Sequence, residues 1–369
     1  MPLLPFINFV EECFLSKNLQ NGLTIRGDSL YCPLSLSLDS YWNCQANCHH
    51  CYLRRLNHVW GKDLRPLDVE NFERTLINGL KNKEPKSPLS WALRQKKTIR
   101  FGNKADPFQP AELEHKVSAR VLEILVGLNW SFLIQTMFTE NLIPHRDFII
   151  ENKHLIFVQP IISPGAENDW EILERTRTTP VQERIDFLCY LRARGVSVAV
   201  NGEPFIPGYH TIKQFEDIVK RLKSWGIKNY NTYNFHFNDF VAKRLHNIGI
   251  DIEKIWHYNQ DEHWKPILQK LIDIAKQNGV ILGCPDFVNS GSYCEETNTC
   301  CGIDVPNPTT FNVMTVKRML LAGNSFEETM KFCWDGVGDY HEGLAAILGK
   351  NEKVYSLKDC GIDTEQYSN

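Results

Sequence analysis

Three cysteines in one short segment constrain this chain more than any other feature. Cys44, Cys48 and Cys51 have the spacing C-x3-C-x2-C and lie within the run from Tyr41 to Tyr52. Three thiolates on one loop can bind three irons of a cubane [4Fe-4S] cluster and leave the fourth iron without a protein ligand. An open iron is a chemical site, because a small molecule can chelate it and accept an electron. The spacing therefore predicts a cluster with one reactive iron.

A zinc knuckle is the alternative for the same cysteines. Structural zinc takes four ligands in a tetrahedral arrangement, so a fourth donor would have to lie close by. His49 and His50 stand between the second and third cysteines and could supply it.

Composition sets the broad class of the protein. A length of 369 residues predicts one large domain or two ordinary ones, and 43% hydrophobic residues suffice for a sizeable core. No run of 18 apolar residues occurs, so no membrane span is expected. The first residues lack a basic leader and soon reach Glu11 and Glu12, which argues against a signal peptide. With no export signal, the 12 cysteines indicate metal chemistry in a reducing, cytoplasmic environment.

The net charge of −3 predicts no global attraction to nucleic acid. This weakens the case for a non-specific DNA-binding protein. It leaves room for an enzyme that has a local basic groove.

Strand and helix patterns alternate six times after residue 30. Strands are predicted at Leu30–Leu38, Thr98–Gly102, Ser131–Phe138, Leu155–Ile162, Val196–Val200 and Asn229–Phe235. Helical periodicity lies between them, for example from Leu113 to Leu128 and from Ile212 to Trp225. Six successive β/α units predict an α/β fold, a partial (β/α)6 barrel with its site at the carboxyl ends of the strands. The cysteine loop follows the first predicted strand and so falls on that edge.

The predicted organisation has three parts: residues 1–29 form an N-terminal extension, residues 30–250 the barrel, and residues 251–369 a C-terminal extension. The last part begins with a long helix predicted at Glu253–Gln277 and a short strand at Val280–Gly283. A cysteine-rich segment follows, and we expect it to cap the open barrel.

Four further cysteines lie within 18 residues: Cys284, Cys294, Cys300 and Cys301. Thiols at this density rarely serve packing alone. Their spacing matches no standard run, and three interpretations stay open: a second iron–sulfur cluster, a redox-active thiol over the barrel mouth, or structural zinc.

The cysteine spacing, with Tyr52 directly after it, resembles the signature of the radical S-adenosylmethionine (SAM) superfamily. Four further stretches resemble spore-photoproduct-lyase-like members: Phe101–Glu112, Leu173–Ile185, Leu191–Val196 and Pro204–Gly208. The matches run from about Tyr31 to Gly208, roughly half of the chain. Phage radical SAM isomerases, which rearrange hypermodified thymines, are enzymes of a similar type to this family. The resemblance implies a partial barrel, a [4Fe-4S] cluster, SAM as cofactor, and hydrogen abstraction by a 5′-deoxyadenosyl radical.

Roles follow from the resemblance by position. Cys44, Cys48 and Cys51 would be the cluster ligands. Tyr52 would lie beside the cluster or the adenine of SAM. Six more residues would contact SAM or substrate: Gly102, Asn103, Asp106, Gln109, Ser163 and Arg184. For Arg184, an ordinary place on an amphipathic helix is the alternative.

Two departures from the related sequences matter. Relatives tend to carry a lysine where this chain has Glu140, so we expect Glu140 to contact substrate or a compensating cation such as Lys104. No cysteine occurs between Cys51 and Cys189, so the lyase's hydrogen-donor cysteine has no visible counterpart. Rearrangement or modification of a base is therefore favoured over lesion repair.

These features lead to one main hypothesis, a radical SAM enzyme acting on a thymine-derived base in DNA, with a reductant such as flavodoxin. The nucleotide would have to be flipped into the barrel, because a base inside a duplex is out of reach. A radical SAM maturase of a peptide or small metabolite is the second hypothesis. A metal-stabilised binding protein is the non-enzymatic one.

Overall fold

The computed structural model describes residues 21–25, 34, 36–53, 63–83, 88–165, 167–174, 178–232, 235 and 237–283. The chain divides into two compact units. The smaller unit comprises residues 1–38, 67–100 and 307–369, and the larger unit comprises residues 39–66 and 101–306. The division into residues 1–29, 30–250 and 251–369 stays a prediction.

Eleven strands are described: β1 (Leu23–Ile25), β2 (Leu36–Leu38), β3 (Tyr41–Trp42), β4 (Arg65–Pro66), β5 (Ile99–Phe101), β6 (Phe132–Thr136), β7 (Ile156–Pro160), β8 (Ser197–Val198), β9 (Val200–Asn201), β10 (Asn229–Asn231) and β11 (Ile281–Gly283). The described α-helices are α1 (Val69–Lys81), α2 (Pro88–Arg94), α3 (Glu112–His115), α4 (Val117–Gly127), α5 (Thr139–Leu142), α6 (Arg146–Glu151), α7 (Glu167–Glu174), α8 (Val181–Arg192), α9 (Ile212–Ser224), α10 (Asp239–His246), α11 (Ile252–Tyr258) and α12 (Asp261–Gln277). None of them is long and apolar enough to cross a membrane.

The smaller unit holds a strand pair and a helix pair. β1 and β2 are antiparallel, with Leu23 opposite Leu38. α1 begins after Asp68, whose carboxylate accepts the N–H of Asn71 at 2.9 Å and caps the helix. Gly79 allows α1 to approach α2 closely, because a Cβ atom there would lie 2.6 Å from the Cβ of Leu93.

Parallel strands organise the larger unit, as the alternating pattern predicts. β6, β7 and β8 are neighbours in one sheet, and β9, β10 and β11 are neighbours in another. A parallel bridge from Ile161 to Asn201 links the end of β7 to β9. β11 was expected in the C-terminal extension, but it pairs with β10 and so continues the parallel arrangement. This α/β architecture confirms the predicted fold class, and it brings the carboxyl ends of the strands to one edge.

Helices cover one face of these strands. Val200, Tyr230 and Leu282 stand next to one another on β9, β10 and β11. They lie in one buried cluster with side chains of α8, α9 and α12. Because side chains alternate between the two faces of a strand, the residues beside them point to the opposite face. That inner face is the interior of the barrel.

Two predicted helices are divided. The run from Leu113 to Leu128 forms α3 and α4, which separate at Lys116 with a φ of 52°. The carboxylate of Glu112 accepts the N–H groups of Ser118 and Ala119, each at 2.9 Å, and so caps the start of α4. Leu113 is consequently 68% exposed, outside the apolar stripe to which its spacing would assign it.

The second division lies in the predicted helix Glu253–Gln277. α11 ends at Tyr258, and α12 begins at Asp261. The side-chain amide of Asn259 donates to the carbonyl of Phe235 at 3.2 Å. This bond holds the turn against the segment that follows β10.

Candidate active site

The cysteine loop follows β3 directly and presents three cysteine thiols. Cys48 is buried, and Cys44 and Cys51 are partly buried. The N–H of Cys51 donates to the carbonyl of Cys48 at 3.2 Å, which closes a tight turn between them. Asn43 and Asn47 take the left-handed conformation, with φ values of 67° and 55°. Asparagine adopts that conformation more readily than most residues, so the loop can reverse direction twice within five positions.

Two glutamines fix the beginning of the loop. The N–H of Gln45 donates to Oε1 of Gln109 at 2.6 Å, and Nε2 of Gln109 donates to the carbonyl of Asn43 at 3.1 Å. In return, Oε1 of Gln45 accepts the N–H of Ala111 at 2.7 Å. These three bonds join the cysteine loop to the segment that follows β5.

Arg244 fixes the end of the loop. Its guanidinium donates to the carbonyl and the side-chain oxygen of Asn47, at 2.9 and 3.1 Å, and to the carbonyl of Cys51 at 3.4 Å. Arg244 lies on α10, after β10, and the N–H of His49 reaches the carbonyl of Leu173 at the end of α7. Segments that follow β5, β7 and β10 therefore all hold the cysteine loop at the carboxyl edge of the strands.

We expect Arg244→Gln to weaken retention of a metal centre by this loop. The substitution removes charge-assisted hydrogen bonds worth about 1.5–3 kcal/mol, so iron loss to a chelator should accelerate roughly tenfold. Lys243→Gln is the matched control, because the exposed Lys243 lies on the same helix and loses the same charge. Equal rates of iron release from the two variants would show that the clamp has no role in retention.

The thiols have surroundings suited to metal ligation. Burial raises the pKa of the Cys44 thiol to about 12, although backbone N–H groups of Asp106 and Ala46 donate to it. Burial also raises the pKa of Cys48, whose sulfur lies 3.7 Å from the sulfur of Met137, directly after β6. Thiols of this kind ionise when a metal binds them.

The donor set fits a [4Fe-4S] cluster. Among the described residues, no three His, Cys, Asp or Glu side chains converge on a point where one metal ion could sit. A cubane does not require convergence, because each thiolate binds a different iron. Three cysteine thiols on one anchored loop are what such a cluster takes from a protein when one iron stays open.

Asp39 organises the loop after β5, and nothing in the sequence patterns had singled it out. Its Oδ1 atom accepts the N–H groups of Asn103, Lys104 and Ala105 at 2.9, 2.7 and 3.2 Å. Burial raises the pKa of this carboxyl, and the nearby charge of Lys104 opposes that shift. The only available signal was a polar residue directly after a buried strand. Asp39 thus fixes the backbone at Asn103, one of the predicted SAM contacts.

Gly102 is required by the backbone at the same turn. Its φ is 96°, and a Cβ atom there would lie 2.5 Å from the carbonyl oxygen of Gln135. Any side chain would force this turn away from β6.

Asp106 joins two segments of the carboxyl edge. Oδ1 accepts from the N–H of Phe108 at 2.9 Å and from the hydroxyl of Thr136 at 2.7 Å, and Oδ2 accepts the N–H of Met137 at 2.6 Å. Burial raises the pKa of the carboxyl to about 6 despite these donors. Asp106 thereby ties the loop after β5 to the end of β6, where Met137 contacts Cys48.

Arg184 forms a buried ion pair with Glu174. The remaining guanidinium donors go to the carbonyls of Thr179 and Ile161, each at 2.7 Å, and to the hydroxyl of Thr178 at 2.6 Å. All five donors of the guanidinium are therefore engaged by protein. The two charges act on the nearby thiol of Cys48 in opposite directions, since Glu174 raises its pKa and Arg184 lowers it.

The other predicted site residues lie in different surroundings. Ser163 is buried after β7, and Thr139 is buried after β6. Within the described part of the chain, neither hydroxyl has a hydrogen-bond partner. Tyr52 packs against a buried cluster that includes Leu173. Glu140 is exposed on α5, and its role stays a prediction. Cys284, Cys294, Cys300 and Cys301 lie outside the described residues.

Comparison with known structures places the fold. A spore photoproduct lyase variant with dinucleoside spore photoproduct superposes with a TM-score of 0.51 and 12% identity, over 70% of this chain and 79% of that one. A second variant, with bound AdoMet and the same dinucleoside, has a TM-score of 0.50 and 13% identity, over 70% of this chain and 79% of that one. Streptococcus suis SuiB bound to S-adenosylmethionine has a TM-score of 0.43 and 10% identity, over 68% of this chain and 49% of that one. No family model and no curated protein sequence matches the chain. The chain therefore has the fold of spore photoproduct lyase.

Proposed function

We propose that this protein is a radical SAM enzyme in which Cys44, Cys48 and Cys51 hold a [4Fe-4S] cluster. The observation that carries the proposal is the anchored loop of three cysteine thiols at the carboxyl edge of parallel strands. When bound, the cluster would supply an electron to SAM chelated at its open iron and so provide the 5′-deoxyadenosyl radical.

The chain's own residues would bind and orient SAM. Gly102 and Asn103 shape the turn that would hold the SAM amino group, and Asp39 keeps that turn fixed. The unpartnered hydroxyl of Ser163 would meet the ribose, and Tyr52 would shield the adenine or the cluster. Asp106 and Arg184 would act by positioning the loops, because protein groups already engage their polar atoms.

We further propose a thymine-derived base in DNA as the substrate. The fold likeness to spore photoproduct lyase, which was solved with a dinucleoside photoproduct, supports this choice. Rearrangement or modification is preferred to repair, because no cysteine lies between Cys51 and Cys189 to return a hydrogen atom. The base would enter by flipping, with Glu140 near the entering strand and a flavodoxin-like protein as reductant.

The C-terminal cysteines complete the proposal. Cys284, Cys294, Cys300 and Cys301 would bind a second iron–sulfur cluster. Two cubane clusters would give about eight irons per chain, against about four for one.

The test is anaerobic reconstitution followed by measurement of 5′-deoxyadenosine. We expect SAM cleavage that depends on the cluster and rises when single-stranded, thymine-containing DNA is added. A matched oligonucleotide without thymine is the control. Cleavage stimulated equally by both would contradict the thymine substrate and leave the radical SAM assignment intact. No SAM cleavage by a fully loaded cluster would contradict both.

A further inference from the structure

The inner face of the parallel strands carries an unusual number of carboxamide side chains. We call Gln135, Gln159, Asn201, Asn229 and Asn231 the carboxamide lining. They lie on β6, β7, β9 and β10, and each is buried. The interiors of β/α barrels are usually filled by bulky branched apolar residues, so a lining of amides calls for a reason other than packing.

Strand register shows that these side chains share one face. Gln135 stands opposite Gln159, and Asn231 stands opposite Asn201. Val158 pairs with Val198, which packs against the helix-covered cluster, so Gln159 points to the opposite, inner side. Neighbouring strands lie about 4.8 Å apart, which places the amides of paired residues side by side.

The residues of this inner face, which include the carboxamide lining, form two levels. The deeper one consists of Gln135, Gln159, Ala199, Asn229 and Ile281. The one nearer the carboxyl edge consists of Met137, Ile161, Asn201, Asn231 and Gly283. The second level includes Met137, which contacts Cys48, so this level lies beside the cysteine loop. None of these ten residues carries a charge.

Gln159 is the member of the carboxamide lining whose surroundings point to a ligand. It is 0% exposed, and neither its amide nitrogen nor its amide oxygen has a hydrogen-bond partner among the residues that the structure describes. Leaving buried polar atoms unpaired is costly, and native proteins rarely do so without a functional reason. An amide that is buried on the inner face of a barrel and lacks partners is poised for a ligand that supplies them.

We propose that the carboxamide lining binds the uncharged imide edge of a pyrimidine base, with Gln159 making two parallel hydrogen bonds to it. The proposal rests on the proposed function and specifies how the same site would recognise its substrate. None of the lining side chains carries a charge that would compensate a buried ion, so a neutral ligand fits. Nδ2 of Asn201 donates to the carboxylate of Glu203 at 3.3 Å, and that carboxylate would repel an anion. A carboxamide offers one donor and one acceptor side by side, as base recognition by Asn and Gln requires.

A cyclic imide suits a single carboxamide, because it places its N–H and C=O on one edge. One trans peptide unit does not, because its N–H and C=O point in opposite directions. A peptide would need the N–H and C=O of one residue in an extended strand, which belong to two successive peptide units.

Gln159→Leu tests the proposal, with Gln182→Leu on α8 as the matched control. Gln182 undergoes the same chemical change at an exposed position. We expect Gln159→Leu to raise the melting temperature of the reconstituted protein by about 2 °C, because it removes unpaired buried polar atoms. We expect the same variant to weaken binding of a thymidine-containing oligonucleotide about tenfold and to leave SAM affinity unchanged. Gln182→Leu should change none of these quantities.

Several outcomes would overturn the inference. Unchanged oligonucleotide affinity in Gln159→Leu would do so, as would a fall in SAM affinity, which would assign Gln159 to the adenine of the cofactor. A lower melting temperature would show that Gln159 already has a structural partner, such as a buried water. If the leucine variant does not fold, Gln159→Met gives the same readouts. A wild-type protein that binds SAM but no pyrimidine oligonucleotide would contradict the proposed substrate as well. Equal oligonucleotide binding by the wild type and the Gln159 variant would contradict only the proposed role of the lining.

Discussion

Cys48→Ala is expected to give a folded protein that holds no intact [4Fe-4S] cluster and cleaves no SAM. Three thiolates are the minimum set for a cubane with one open iron, so the loss of any one leaves two irons without protein ligands. Cys48 is the most buried of the three and is in contact with Met137. Iron content and the absorbance of the cluster after anaerobic reconstitution measure the effect, and 5′-deoxyadenosine formation measures its consequence.

Cys189→Ala is the matched control for this prediction. Cys189 is also a free, partly buried thiol, but it lies on α8 and packs against the helix-covered core. It should retain the full iron content and full SAM cleavage. Retained SAM cleavage in the Cys48 variant would refute the cluster assignment. Equal iron loss in both variants would show that the thiols bind iron without specificity.

Arg184→Leu is expected to destabilise the larger unit strongly. It leaves the Glu174 carboxylate buried without its counter-ion, and breaking a buried pair from one side costs about 3–5 kcal/mol. It also removes the donors to the carbonyls of Ile161 and Thr179, which connect the ends of β7 and α8. A urea titration of the protein should show a clearly lowered midpoint for unfolding of this unit.

A double variant separates the charge from the packing. Combining Arg184→Leu with Glu174→Leu removes both charges, so we expect part of the lost stability to return. Lys213→Met on α9 breaks an exposed ion pair with Asp217 and should leave the midpoint unchanged. A double variant no more stable than Arg184→Leu would mean that hydrogen bonds, and not the uncompensated charge, dominate the loss.

The sequence alone was enough to predict the parallel strands and the cysteine loop. β6, β7 and β10 each fall inside a predicted segment, because alternating burial and short apolar runs are local properties of the chain. Divided helices were harder to foresee. The break at Lys116 depends on the side chain of Glu112 capping α4, and a capping residue outside the usual position leaves no mark on the apolar periodicity.

Contacts across long stretches of sequence were decided only by the tertiary structure. Arg244 clamps Asn47 from nearly 200 positions away, Asp39 fixes the turn at Asn103, and Gln109 binds Gln45. The position of each partner depends on strand register and on how far each helix is rotated about its axis, which no local pattern contains. The cysteine spacing by itself predicted which residues would bind a metal cluster. Only the fold determined what holds their loop at the carboxyl edge and which side chains face the barrel interior.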